Sequence, residues 1–342
     1  MAAALILARL SADIAFPFMG GTKPARRFSQ PFRAASLRET AMGEHTTISW
    51  VGPHGKTFNP WMGCTKVSPA CDGCYAEALM DTRYGKVSWG QGEDRVRTSA
   101  ANWRQPLRWN RQAAEAGTRP FVFCASLADV FDNEVDPAWR RDLFALIEAT
   151  PHLVWLLLTK RIGNVLRMTD PERGNPLLPA NAAVGATMAN QEEYDRDARK
   201  LAAVRRDREP LFTFGSFEPL LGMIAMDDDA PDWIITGGET HQGQHRARPS
   251  HPKWFRTLRD QSAALGRVYH HKQNGEWAPR GAKGIVFPEA KAAPCIKLTD
   301  LGEDDSRFGA GDEPVWMQLV GKKAAGRLLD GVEHNGFPEV RP

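Results

Sequence analysis

The sequence lacks long apolar runs and carries little excess charge. No stretch approaches the roughly 18 apolar residues that a membrane-spanning helix needs, so the sequence predicts no membrane partner. The formal net charge of the 342 residues is only +3, which excludes a molecule whose whole surface attracts nucleic acid. With 42% hydrophobic and 25% charged residues, the composition is typical of a globular protein and not of a disordered chain.

Cysteine is also scarce. The five cysteines are an odd number, and no segment shows the pattern of a secretory signal with its cleavage site. A disulfide framework needs paired cysteines and an oxidising compartment. The sequence therefore predicts a cytoplasmic protein with reduced thiols.

Three of the five cysteines lie within eleven residues. Cys64, Cys71 and Cys74 belong to the segment CTKVSPACDGC, in which Pro69 and Gly73 favour a loop that folds back on itself. Three thiolates leave one position of a tetrahedral metal ion, or one iron of a 4Fe-4S cluster, without a protein ligand. The spacing therefore predicts a metal or cluster loop with an open position for chemistry.

The first 41 residues differ in composition from the rest. They are rich in Ala, Arg and Ser, and Asp13 and Glu39 are their only acidic residues. A transit peptide is one interpretation of this composition. A disordered extension, or a true start at Met42, is the favoured one because residues 1–41 show no apolar periodicity.

Beyond residue 42, short apolar runs alternate with helix-like stretches, which is the pattern of an α/β fold with parallel strands. The predicted strands cover residues 120–126, 152–158, 182–187, 211–215, 233–236 and 267–271, with an earlier one at 47–51. The predicted helices cover residues 75–84, 137–149, 191–205 and 252–265.

Polar residues follow these strands. Because ligands of parallel α/β folds bind at the carboxyl ends of the strands, we expect such residues to surround one mouth beside the cysteine loop. The residues concerned are Asp129, Asp132, Lys160, Arg161, Asn190, Glu218, Gly237, Gly238, Glu239, Lys272, Gln273 and Asn274. A plainer interpretation stays open, in which Lys160 and Arg161 are a surface pair and Asp129 only caps a helix.

Three segments together resemble a known family. They are FNPWMGCTKVSPACDGCYAE at 58–77, FGSFEPLLG at 214–222 and ITGGE at 235–239. Residues 46–280 resemble the phage and prophage three-Cys-motif family, which is itself similar to radical SAM enzymes. The resemblance implies a partial TIM-type barrel of about six parallel strands, with a 4Fe-4S cluster bound by Cys64, Cys71 and Cys74 in the loop after the first strand.

The resemblance also implies a chemistry. In radical SAM enzymes the open iron binds the amino and carboxylate groups of S-adenosylmethionine, and an electron from a donor such as flavodoxin or ferredoxin cleaves the sulfonium to release a deoxyadenosyl radical. The candidate cofactor contacts in this sequence are Asp129, Gly237, Gly238 and Glu239 for the amino group and Glu218 or Asn190 for a ribose hydroxyl. Relative to the common radical SAM motif, six residues instead of three separate the first two cysteines, and Gly73 replaces an aromatic residue.

A second hypothesis is a structural zinc site. The three cysteines with His54 or a solvent ligand would then staple a loop, and the protein would be a phage-associated binding module without catalysis. Zinc sites usually show paired short spacings, and this chain has one Cys-x2-Cys pair, which favours the cluster. A third possibility is a barrel that has kept its cysteines and lost turnover.

The phage resemblance makes a nucleotide or nucleic acid the expected substrate. Residues 82–111 mix basic with aromatic residues, which is the composition of a surface that stacks bases and contacts phosphates. These residues are Arg83, Arg95, Arg97, Arg104, Arg108, Arg111, Tyr84, Trp89, Trp103 and Trp109. An ordinary solvated insertion into the barrel is the favoured alternative.

Four further predictions concern the rest of the chain. Residues 42–280 are predicted to form the barrel, and residues 281–342 a C-terminal extension with a closing helix near 319–329. Cys124 is predicted to be a core residue, because it lies inside an apolar run. His270 and His271 are adjacent on a predicted strand, so they should point to opposite faces.

Overall fold

A computed structural model describes residue 46, residues 48–299 and residues 314–340. The predictions of a disordered extension at residues 1–41 and of a true start at Met42 concern residues outside this part of the chain. The division into a barrel at 42–280 and an extension at 281–342 stays a prediction.

The described chain alternates strands with helices over most of its length. The strands are β1 (Lys56–Phe58), β2 (Trp61–Met62), β3 (Val96–Arg97), β4 (Phe121–Cys124), β5 (Val154–Thr159), β6 (Ala182–Thr187), β7 (Thr213–Phe217), β8 (Trp233–Gly237), β9 (Val268–Gln273), β10 (Trp277–Pro279), β11 (Cys295–Leu298) and β12 (Val315–Leu319). The α-helices are α1 (Tyr75–Glu77), α2 (Ala100–Ala116), α3 (Pro137–Glu148), α4 (Val165–Met168), α5 (Gln191–Arg208), α6 (Pro252–Ala264) and α7 (Lys322–Ala325). None of the helices among the described residues is long and apolar enough to cross a membrane.

Seven of the described strands form one parallel sheet in the order β1-β4-β5-β6-β7-β8-β9. The sheet curls into a half-barrel. The order of the strands in this sheet is their order along the chain, as in a β/α barrel. The α/β fold and partial barrel predicted from the sequence are confirmed, with seven strands in place of about six.

The two faces of the sheet pack against different parts of the chain. On one face, side chains of β4 to β8 pack against the apolar sides of α2, α3, α5 and α6. On the other, concave face, Phe214 and Trp233 meet Trp50, whose ring centroid lies 4.7 Å from that of Phe123. Trp50 thus closes the amino end of the half-barrel, and the carboxyl end is left for the loops.

The predicted first strand at 47–51 is wrong. Residues Ser49–Val51 form a single 3-10 turn, and the first strand is β1. Trp50 and Val51 are consecutive and both are buried, and Gly52 ends the turn at a φ of 81°. Because both adjacent residues are buried in the core on the concave face, this segment shows no alternation of buried and exposed positions. A fully buried strand shows the same continuous apolar run, so the sequence pattern does not distinguish the two.

The predicted helices at 137–149, 191–205 and 252–265 correspond to α3, α5 and α6. Pro137 and Pro252 stand at their first positions in α3 and α6, and Asn190 caps α5 through its side chain. The helix predicted at 75–84 is only three α-helical residues in α1, followed by a π-helix at Ala78–Arg83.

The C-terminal part differs from its prediction. Strands β10, β12 and β11 form a small antiparallel sheet, and the closing helix expected near 319–329 is limited to the four residues of α7. Gly321 and Gly326 flank α7 at φ values of 83° and 65°, which stops the helix at both ends.

His270 and His271 point to opposite faces of β9, as predicted. His270 bonds Ser49 Oγ at 3.0 Å, whereas the His271 Nδ1 lies 2.9 Å from Thr236 Oγ1. Both side chains are fully buried. Burial lowers the pKa of each imidazole to about 4, because the charged form would lose its hydration.

We expect this pair to make the fold acid-sensitive. The unfolded chain protonates histidine near pH 6.5 and the folded chain only near pH 4, so the stabilising contribution is complete above pH 6.5 and is lost as pH falls towards 4. Urea unfolding should show a loss of about 1–2 kcal/mol per histidine between pH 7 and pH 5. His271→Gln should flatten that dependence and His152→Gln, at an exposed site, should not; equal slopes in the two variants would contradict this account.

Candidate functional site

The cysteine loop leaves the carboxyl end of the sheet. After β1, strands β2 and β3 pair antiparallel and close residues 63–95 into one excursion from the barrel. Ser68 accepts a hydrogen bond from Ala70 N at 3.0 Å, and Pro69 begins a 3-10 turn at Pro69–Cys71. The loop that carries the cysteines thus follows the first strand, as the resemblance implied.

All three cysteines of the loop line one cavity. The cavity has a volume of about 130 Å³ and lies between the loop and the carboxyl ends of β4, β5 and β6. Its other polar lining includes Ser126, Asp129, Thr159, Lys160, Arg161 and Thr187. Cys71 is buried, Cys64 and Cys74 are half-buried, and all three are free thiols.

A buried ion pair stands behind Cys64. Arg161 Nη1 donates to Cys64 Sγ at 3.3 Å and to Asp129 Oδ2 at 3.1 Å, and Arg161 Nη2 donates to the Thr65 carbonyl at 2.8 Å. Asp129 also accepts from the Thr159 hydroxyl at 2.7 Å and from Lys160 N at 3.1 Å. The carboxylate predicted to bind a cofactor amino group therefore already orients an arginine towards the first cysteine.

The thiols sit in an environment that favours their protonated form. Burial is the main reason that the pKa of Cys64 is raised to about 11, and the Asp129 carboxylate raises it further against the opposing effect of Arg161. Burial likewise raises the pKa of Cys74. Binding of a metal group would therefore release protons from these two thiols.

Both metal hypotheses assign ligand roles to the three thiols of the loop, and the zinc hypothesis adds His54. Among the described residues, no group of three or more His, Cys, Asp or Glu side chains is placed to hold a metal ion. His54, the predicted fourth zinc ligand, is exposed and precedes β1, whereas Cys64 follows it, so the strand separates them along the barrel. The zinc site formed by the three cysteines with His54 or a solvent ligand stays the alternative hypothesis.

The part of the loop between Cys71 and Cys74 is linked through Arg248 to Glu239, which follows β8. Arg248 donates from Nε to Glu239 Oε2 at 2.8 Å and from Nη1 to Asp72 Oδ2 at 3.0 Å. Although burial opposes ionisation, the hydrogen bonds from Arg248 and the His245 ring, whose Nε2 lies 3.1 Å from Glu239 Oε2, keep the pKa of Glu239 below its usual value. A Cβ at Gly73 would stand 2.6 Å from the His245 ring, so any larger residue would displace that ring or the loop.

The two glycines before Glu239 accommodate protein groups. A Cβ at Gly238 would lie 2.2 Å from the Asn274 carbonyl oxygen, and one at Gly237 would lie 2.9 Å from the Glu218 carboxylate. Glu218 accepts from Lys272 Nζ at 2.8 Å. The close approach that these glycines permit is thus between strand ends and neighbouring loops, whereas the sequence suggested an approach to a ligand.

Asn190 has a structural contact of its own. Its side chain caps α5 by accepting from Glu193 N at 3.0 Å. Of the six predicted cofactor contacts, only Asp129 lines the cavity with the cysteines; the others lie outside it. The cofactor roles assigned to these six residues stay predictions.

Only part of residues 82–111 is exposed enough to belong to the stacking surface considered from the sequence. Arg95 is 6% exposed and donates to Asp132 at 2.9 Å and to Thr65 Oγ1 at 2.8 Å, with a further ion pair to Glu134. Trp103 and Trp109 are buried in the core on one side of α2. Residues 100–111 are therefore part of an integral helix of the barrel, and Arg95 before it binds Thr65, the residue next to Cys64.

Sequence reasoning singled out one of the two arginines that hold the loop. Arg161 was expected at the mouth because it lies two positions after β5, at the edge where the cysteines were expected. Arg248 carried no signal, since it lies in a loop nine positions after Glu239 with no motif around it. Ser126 and Thr187, which line the cavity, also lacked a distinguishing pattern.

Comparison with known proteins gives two kinds of result. No curated protein matches the chain. Among solved structures, a spore photoproduct lyase mutant with bound AdoMet and dinucleoside spore photoproduct is 11% identical, covers 83% of this chain and 72% of its own, and has a TM-score of 0.40. A second mutant of that lyase is 12% identical at the same coverage and TM-score.

At these TM-scores the likeness carries no inference about ligand or reaction. A family model matches residues 45–338, which is most of the chain and includes the cysteine loop, the parallel sheet and Arg248. The chain therefore belongs to the DUF5131 family, whose description is "Protein of unknown function".

Proposed function

We propose that this chain is a radical SAM-like enzyme that binds a 4Fe-4S cluster through Cys64, Cys71 and Cys74 and S-adenosylmethionine beside it. The observation that supports this most is the convergence of three free thiols on one cavity at the carboxyl ends of parallel strands. Ligands of parallel α/β folds bind at that edge. Soft thiolates are also the ligands that iron–sulfur clusters use.

The spacing of the cysteines along the chain supports a cluster more than a zinc ion. Zinc sites usually show paired short spacings, and this chain has one Cys-x2-Cys pair. In a 4Fe-4S cluster each thiolate would bind a different iron, and three cysteines leave one iron without a protein ligand.

The surrounding residues have distinct tasks in this proposal. When bound, the cluster and S-adenosylmethionine supply a deoxyadenosyl radical that removes a hydrogen atom from substrate. Arg161 orients Cys64 and keeps a positive charge beside it, and Asp129 holds Arg161 in place. Lys160 lines the same cavity near Cys74 and offers an ammonium group to a carboxylate. Phe123 and Leu158 form its apolar floor and limit the entry of water.

We propose a nucleotide or nucleic acid as the substrate, in the phage or prophage setting that the three-Cys-motif resemblance suggests. Within residues 82–111, Arg83 and Tyr84 are exposed and support this, whereas Arg95 and Trp103 are buried. Tyr75 directly follows Cys74 and is about half exposed, as is Tyr84, whose ring lies 5.4 Å from Arg83 and 5.7 Å from Lys86. Exposed aromatic rings beside cations suit base stacking with phosphate contacts. An electron donor such as flavodoxin or ferredoxin, in a reducing cytoplasm, completes the proposal.

Anaerobic reconstitution tests the proposal. Protein purified without oxygen should take up iron and sulfide, develop the visible absorption of a 4Fe-4S cluster, and release deoxyadenosine from S-adenosylmethionine when a reductant is added. Stoichiometric zinc without iron uptake would contradict the cluster. Iron and sulfide without deoxyadenosine would contradict the enzyme and favour a barrel that has lost turnover.

A further inference from the structure

The loop segment between Cys71 and Cys74 is held by a fork of hydrogen bonds from Arg248. Arg248 Nη1 donates to Asp72 Oδ2 at 3.0 Å, and Nη2 donates to the Pro69 carbonyl at 2.9 Å. The same guanidinium donates to both carboxylate oxygens of Glu239, from Nη2 at 2.6 Å and from Nε at 2.8 Å. One side chain thus joins the cysteine loop to the end of β8.

The carboxylate that holds Arg248 is itself fixed in position. Glu239 is 5% exposed and comes two residues after the last residue of β8, and its Oε2 also accepts from Arg248 N at 2.8 Å. A bidentate pair with a buried carboxylate restricts the guanidinium to one plane and one orientation. Arg248 can therefore transmit the position of the sheet edge to the loop.

The shape of the loop at Gly73 matches the same cluster. A Cβ at this position would lie 2.6 Å from His245 Cδ2 and 3.2 Å from Glu239 Oε1. Both residues between Cys71 and Cys74 therefore meet this cluster, Asp72 through an ion pair and Gly73 through a backbone contact that a side chain would prevent.

We propose that Glu239 and Arg248 are a positioning pair that sets the place of Cys71 and Cys74, while Arg161 and Asp129 hold Cys64 independently. The ligand role of these cysteines rests on the proposed function, but the positioning of their loop does not. Glu239, the acid of the Gly-Gly-Glu segment, then serves the cysteine loop through an arginine and not through a cofactor amino group.

Thiol reactivity of the metal-free protein tests this positioning without any cluster. In Arg248→Met, iodoacetamide should alkylate Cys71 and Cys74 about tenfold faster than in the unaltered protein, as measured by peptide mass spectrometry, because charge-assisted hydrogen bonds to the loop are lost. Cys64 should react at its original rate. Arg246→Met removes an exposed arginine two positions before Arg248 and should change none of these alkylation rates.

A second pair of variants tests the contact at Gly73. Gly73→Ala should also accelerate alkylation of Cys71 and Cys74, and the double variant Gly73→Ala with His245→Ala should restore the original rates, because the clashing ring is gone. Arg248→Lys, which keeps the charge, should give an intermediate rate and serves if Arg248→Met fails to fold. Unchanged Cys71 and Cys74 rates in the folded Arg248 variants would overturn the positioning pair.

Reconstitution separates this inference from the proposed function. Where the unaltered protein binds a cluster, Arg248→Met should lower the iron content per chain and broaden the electron paramagnetic resonance of the reduced cluster. If the unaltered protein binds no iron, the proposed function fails, while the alkylation rates still decide whether Arg248 holds the loop.

Discussion

Replacing any one of Cys64, Cys71 and Cys74 with serine is expected to abolish stable uptake of a four-iron cluster. Each thiolate would bind a separate iron, and a hydroxyl is a hard, weakly acidic group that does not replace a thiolate on iron. The loss should be complete rather than graded, because two remaining protein ligands would leave two irons of the cube open to solvent. Iron and sulfide per chain after anaerobic reconstitution measure the result.

The two other cysteines provide matched controls. Cys295 is half-buried on β11 in the small antiparallel sheet, and Cys124 is fully buried on β4 within the core facing the helices. Cys295→Ser and Cys124→Ala should keep the iron content of the unaltered protein. A serine variant of Cys64, Cys71 or Cys74 that retained full iron and sulfide would remove that residue from the ligand set.

Replacing Arg95 with methionine should lower the free energy of unfolding by about 3–5 kcal/mol, the usual cost of removing one partner of a buried ion pair. The Arg95 guanidinium is almost inaccessible, and Asp132 is equally buried, so the variant leaves this carboxylate with only the more distant Arg161, whose Nε lies 3.8 Å from Asp132 Oδ1. It also frees Thr65, which adjoins Cys64, from the Arg95 Nη2 donor. Urea unfolding at neutral pH measures the loss.

Arg97→Met is the matched control for this prediction. Arg97 is only two residues away and pairs with Asp142 at 2.8 Å, but both side chains keep more than a fifth of their surface exposed. Its loss should cost less than about 2 kcal/mol, the sum of a weak ion pair and a cation–π contact with Trp103. Equal destabilisation by the two variants would contradict the buried role of Arg95. A large drop in nucleic-acid affinity with unchanged stability in Arg95→Met would restore the surface role considered from the sequence.

Local patterns predicted the architecture well. The runs at 152–158 and 182–187 are buried strands bounded by polar residues, and the prolines at 137 and 252 mark helix starts, so the α/β order could be read along the chain. Helix α2 was missed because its segment is rich in arginine and tryptophan. Those tryptophans are core residues, and only their burial against the sheet identifies them as such.

The candidate site was predictable in its ligands and not in its supports. Three thiols within eleven residues are a covalent property of the chain, so their proximity follows from sequence alone. The partners of that loop come from residues 97 and 176 positions away, Arg161 on Cys64 and Arg248 on Asp72, and a long sequence separation leaves no periodic signal. Such pairs form because the parallel sheet brings the carboxyl ends of β5 and β8 to the edge where the loop emerges. The sequence motif by itself therefore determines that the three thiols are close together. The orientation of the loop depends on Arg161 and Arg248, which reach it only after the half-barrel has formed.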